Sequence, residues 1–141
     1  MKGNAFLIAL FAGLALAGCN KAESPAEVQH DVADARADAQ RDVADAQADA
    51  RENTADAQKD VADAAADHDP NDMADQTQQA SETAAKNDYK VAVAQAEATH
   101  KVATEKCEAM SADSQKACKD RADADLDAAK RAAEQRRDGT G

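Results

Sequence analysis

Between Asp31 and Asp63 the chain repeats an 11-residue unit three times: DVADARADAQR, DVADAQADARE and NTADAQKDVAD. Eleven residues close three turns at about 3.67 residues per turn, so equivalent positions stack along one nearly straight α-helix. One stripe is Val32, Ala35, Ala39, Val43, Ala46, Ala50, Thr54, Ala57 and Val61. Beside it runs an acidic stripe, Asp31, Asp34, Asp38, Asp42, Asp45, Asp49, Asp56, Asp60 and Asp63, with Asn53 in one place. Neighbouring aspartates at i, i+3 and i, i+4 repel, each pair costing roughly a few tenths of a kcal/mol. Asp38 with Arg41 and Asp56 with Lys59 offset little of that. Helicity in this stretch is therefore expected to rise with salt, acid, divalent cations or a partner.

The side chains available for a core are few. Beyond residue 18 there is no Trp, Phe or Ile, and the larger apolar residues are Val28, Val32, Val43, Val61, Met73, Tyr89, Val91, Val93, Val102, Met110 and Leu126. Each contributes only about 1.5–3 kcal/mol when fully buried, against the entropy of ordering over 100 residues. Low bulk hydrophobicity with a net charge of −11 favours disorder. Abundant alanine favours helix, and strand signals are absent. The expected class is all-α: an extended, partly disordered alanine-rich helix followed by a C-terminal antiparallel helical hairpin, with no compact globular core.

The boundaries follow local signals. Residues 19–23 read as a linker. Ser24-Pro25-Ala26-Glu27 is a start signal, with a capping serine, proline at the first helical position and glutamate to close a capping box. The repeat helix spans 24–66. A hinge at 67–72 follows, because Pro70 lacks an N–H and biases Asp69 away from helix; Asp69 can cap a new helix. His68 among Asp67, Asp69 and Asp72 forms a polar turn, and no metal site is assigned. Residues 73–137 form the hairpin and 138–141 a disordered tail.

The hairpin rests on two seams. Tyr89, Val93, Ala96, His100, Ala103, Cys107 and Met110 alternate by four and three, a heptad pattern. Cys118, Ala122, Leu126, Ala129 and Ala133 form the second, with Ser111 or Asp113 able to cap its helix. On one unbroken helix Cys107 and Cys118 would stand about 16.5 Å apart, and a disulfide needs Cα atoms within roughly 7 Å. Folding back near Ser111–Ser114 would pair them. It would also bring Ala103 near Ala122, His100 near Leu126 and Ala96 near Ala129. The alternative is a pair of bridges between two parallel chains.

Ahead of the repeat, Lys2 precedes an apolar run, Ala5–Ala17, too short to span a bilayer. It ends in Leu16-Ala17-Gly18-Cys19, which resembles the lipobox of bacterial lipoproteins. The resemblance implies a signal peptide at 1–18, removal of the leader and acylation of Cys19. Cysteine parity agrees, since lipidation of Cys19 leaves Cys107 and Cys118 as an even pair. Asn20 after the cysteine implies the outer membrane, at its periplasmic face. The repeat resembles the 11-residue repeats of late-embryogenesis-abundant proteins, and residues 89–118 resemble a C-terminal module of uncharacterised proteobacterial envelope proteins.

These features point away from several functions. Strong negative charge argues against nucleic acid. No phosphate loop, zinc-spaced ligands or pocket-forming core is present, so no catalytic residue, cofactor, metal or small-molecule substrate is assigned. The expected role is a membrane-anchored helical structural or interaction element, held by lipid on Cys19. It could engage an envelope protein or another copy of itself. Stress protection by conditional folding, or weak binding of divalent cations along the aspartate stripe, are the alternatives.

Overall fold

The structure is a computed structural model that describes residues 22–139. The leader at 1–18, Cys19, Asn20, the start of the linker and the last two residues of the tail lie outside the described residues. Three helices follow in order: α1 (Pro25–Ala66), α2 (Pro70–Cys107) and α3 (Ala112–Asp138). The fold is all-α, with no strand among the described residues.

The start of α1 is built as its residues dictate. The Ser24 hydroxyl accepts from the Glu27 N–H at 3.3 Å, and Glu27 Oε2 accepts from the Ser24 N–H at 3.0 Å. Pro25 occupies the first turn, where its missing donor costs nothing. The helix then runs for 42 residues without a break. Its Val/Ala stripe is the inward face: Val28, Val32, Ala35, Ala39 and Ala64 are buried, and Val43, Ala46, Ala50, Thr54, Ala57 and Val61 are half-buried. The aspartates point outward, apart from half-buried Asp31 and Asp38.

The break after α1 is tighter than the expected 67–72 hinge. Asp67 closes α1, His68 takes the left-handed conformation at φ 58°, and Asp69 caps α2. Asp69 Oδ1 accepts from the Asn71 N–H at 2.9 Å and the Asp72 N–H at 3.4 Å, with Pro70 in the first turn. The polar stretch 73–88 is helical throughout and continuous with the rest of α2.

One expectation is corrected here. The repeat helix does not extend away from the hairpin; it folds back antiparallel along α2. The reason is a second stripe on α2, formed by Gln76, Ala80, Thr83, Asn87, Val91, Ala94 and Ala98, all half-buried or buried. Its steps of three and four residues match those of α1, so each stripe covers the other.

The hairpin between α2 and α3 has the expected register. Cys107 and Cys118 are disulfide-bonded, with Cα atoms 5.7 Å apart. His100 reaches Asp123, Glu97 reaches Lys130, and Tyr89 lies under Arg137. Cys107, Ala122 and Ala133 are buried. Two seam positions differ. Met110 falls in the turn after α2 ends and is 41% exposed. Ala129 is exposed, and half-buried Lys130 takes its place, because the α3 seam steps by four residues from Cys118 through Ala122 and Leu126. Among the described residues, α1 and α3 each pack on α2 and not on one another. The molecule is thus a three-helix ribbon with α2 in the middle.

Candidate interaction site

An interface built mostly of alanine, with a few valines, slides easily, because small side chains interlock weakly. The pairing of α1 with α2 is fixed instead by polar contacts. Asn87, only 4% exposed, is the one buried polar residue among the described residues. Its Nδ2 donates to the Ala50 carbonyl at 3.0 Å and to Thr54 Oγ1 at 3.1 Å. Its Oδ1 accepts from Asn53 Nδ2 at 3.5 Å. Thr54 Oγ1 donates in turn to the Ala50 carbonyl at 2.7 Å. A buried amide with its partners satisfied pins a register, since sliding by one turn would leave it unpaired in an apolar seam. Further along, Lys101 Nζ lies 3.0 Å from Asp38 Oδ2.

Between α2 and α3 the ties are charged. Lys130 Nζ lies 2.7 Å from Glu97 Oε1, and His100 Nε2 donates to Asp123 Oδ1 at 2.6 Å. The Arg137 guanidinium stands 4.7 Å from the centre of the Tyr89 ring. Near the disulfide, Lys119 and Gln115 both hold the Glu108 carboxylate. Cys107 is fully buried, so its bond to Cys118 is shielded from solvent on that side.

The same end of the molecule receives the N-terminal segment. The Glu23 N–H donates to the Glu108 carbonyl at 3.2 Å, which ties the segment entering α1 to the turn between α2 and α3. Partial loss of water raises the Glu23 carboxyl from its ordinary value, and Asp31, Glu108, Glu105 and Glu27 add to the effect. Asp38 moves the other way, because Lys101 donates a hydrogen bond to it and attracts its charge. The hydrogen bonds from Lys119 to Glu108 and from Lys130 to Glu97 raise both lysines.

Shallow grooves open beside α2. One, of about 730 Å³, is floored by Ala39, Val43, Val102, Ala103 and Cys118 and edged by Arg36, Gln40, Lys106 and Met110. Another, of about 700 Å³, lies beside Tyr89 between Ala85, Ala92 and Ala133, with Arg136 and Arg137 at its edge. Both are open channels walled by small apolar side chains, suited to a helix or chain laid lengthwise rather than to an enclosed small molecule. No group of three or more His, Cys, Asp or Glu residues comes within metal-binding reach among the described residues. His68 bonds the Ala66 carbonyl through Nδ1 at 2.6 Å.

Comparison with protein families, curated proteins and solved structures returns no match. The functional reading accordingly rests on this chain's own residues. Of the three cysteines assigned a role from the sequence, Cys107 and Cys118 come together, and Cys19 lies outside the described residues. Asn87, Lys101 and the Glu23–Glu108 bond were not anticipated. For Asn87 a signal existed: it lies in step with Ala80, Val91 and Ala98, on a stripe hidden by its polar members Gln76 and Thr83.

Proposed function

We propose that this chain is an envelope lipoprotein, anchored by lipid on Cys19 and acting as a helical structural or interaction element in the periplasm. The observation that carries this reading is the pairing of Cys107 with Cys118. With those two consumed, Cys19 is the one cysteine of the sequence that remains. It directly follows Leu16-Ala17-Gly18, where the lipoprotein pathway would acylate it. A free thiol in an oxidising compartment is a liability, and lipidation removes it. Two or three acyl chains make anchoring stable, whereas one gives marginal and reversible binding. The open grooves beside α2 favour lengthwise contact with another protein. Asn20 favours the outer membrane.

Mass spectrometry of the N-terminal peptide from a membrane fraction tests this directly. The expected result is a chain beginning at residue 19 with acyl groups on that cysteine, and release of a Cys19→Ser variant from the membrane. An unmodified thiol at Cys19, or a leader still attached, overturns the reading.

A further inference from the structure

The three helices are long and antiparallel, so the molecule has two ends. One end holds the turn at 67–69, flanked by Asp60, Asp63, Asp67, Asp69 and Asp72 with Lys59 alone opposing them in that stretch. The other holds the start of α1, the disulfide and the turn from Glu108 to Ser111. Here Lys106, Lys116 and Lys119 are interspersed among Glu23, Glu27, Glu105, Glu108 and Asp113, and Met110, in the turn at the edge of the groove beside α2, is 41% exposed.

The path of the N-terminal segment decides which end is near the anchor. The Glu23 N–H is bonded to the Glu108 carbonyl, two residues from Met110. Glu23 lies four residue steps from Cys19, a reach of about 14 Å at full extension. The 42 residues of α1 carry the opposite turn about 60 Å away.

We infer that the α2–α3 turn is a membrane-contact surface: Met110 rests in the interfacial layer of the bilayer that holds the Cys19 lipid, and the ribbon stands upright with its aspartate-rich end outermost. This deepens the proposed function and rests on anchorage at Cys19. An unbranched, uncharged side chain at a turn suits the headgroup boundary, where exposed apolar surface is buried without crossing the core. The bond between Glu23 and Glu108 holds the turn close to its lipid rather than leaving it to swing on a linker. Both ends carry more acids than lysines, but the end at 67–69 has Lys59 alone to offset its aspartates, so it gains more by distance from anionic headgroups. Together these make an upright post whose grooves beside α2 run outward from the membrane.

The chain has no tryptophan, so single-tryptophan reporters are unambiguous. Met110 and Met73 are exposed methionines near opposite ends, at 41% and 44%. Met110→Trp and Met73→Trp full chains, extracted from membranes with Cys19 acylation checked by mass, are placed in phosphatidylethanolamine–phosphatidylglycerol vesicles with brominated acyl chains. The expected result is that bromine removes roughly half or more of the Met110→Trp emission and leaves Met73→Trp unchanged, as for a residue at interfacial depth. Equal quenching of both reporters means the ribbon lies flat and overturns the inference. An unquenched Met110→Trp means the turn is held off the surface and overturns it too. A second arm couples Cys19 of the full chain to a maleimide phospholipid in the same vesicles. Failure of native acylation would then defeat the proposed function alone, while quenching in the coupled arm still reads the orientation.

Discussion

Asn87 holds α1 against α2 through its side chain, and His68 turns the chain between them through its backbone. Removing the Asn87 amide leaves the Thr54 hydroxyl with fewer partners and an alanine contact free to slip. Asn87→Ala is expected to lower unfolding stability by about 1–2 kcal/mol in urea titrations with the disulfide intact. A cycle with Thr54→Ala should show coupling, since Asn87 donates to Thr54 Oγ1 at 3.1 Å. His68 sits at φ 58°, a conformation costly for branched side chains. His68→Val should cost roughly 1–2 kcal/mol by the same measurement, while His68→Gly should be tolerated because glycine adopts that region freely.

Among the elements, α3 is held most narrowly. Of the other two helices it packs on α2 alone, through seam residues, charged and aromatic contacts and one disulfide, with Lys119 and Gln115 holding Glu108 at the turn. Closing a short loop of this kind contributes on the order of 3 kcal/mol. Reduction, or Cys107→Ser with Cys118→Ser, should therefore loosen α3 first. Hydrogen exchange is expected to accelerate across 112–138 while the α1–α2 pair around Asn87 stays protected. The pairing of α1 with α2 carries its own pH dependence. Lys101 holds the Asp38 midpoint lower in the folded chain than in the unfolded one. That contribution is complete above the ordinary aspartate midpoint and disappears as pH falls through the lowered one. Glu23 has the opposite sign: loss of water and neighbouring acids raise its midpoint. Protonated Glu23 favours the docked segment at low pH, and that favour is lost as pH rises through the raised midpoint. Carboxyl titrations by NMR should place Asp38 below and Glu23 above their values in short peptides. At neutral pH Glu23→Gln should slow exchange of the residue-23 amide.

At the scale of the whole molecule, length separates the ribbon from a rod. With α1 folded along α2, the longest dimension of the described residues is about 65 Å, set by the 42-residue α1. A repeat helix extended end to end with α2, 42 and 38 residues, would reach about 120 Å. Small-angle scattering of the mature chain should give the shorter value. Circular dichroism bears on the competing stress-protection reading. An already helical spectrum in dilute buffer, changing little on drying or with trifluoroethanol, is the expected outcome for a post. A coil that becomes helical only on drying would favour protection instead.

Much of this architecture was written locally. The caps at Ser24 and Asp69, the break before Pro70, the inward stripe from Val32 to Val61 and the pairing of Cys107 with Cys118 all follow from contacts within a few turns or from one covalent constraint. Period, proline and thiol geometry act at short range, so a linear reading reaches them. The return of α1 onto α2 does not follow in that way. It depends on a stripe whose polar members, Gln76, Thr83 and Asn87, look like solvent-facing residues until Ala50 and Thr54 are placed opposite them. The exposure of Met110 and Ala129 likewise depends on where α2 stops and how α3 steps across it. Alanine forms helices by itself, but its burial is too weak to choose a partner. In this chain the choice falls to a few polar groups distant in sequence, which acquire meaning only when the helices lie side by side.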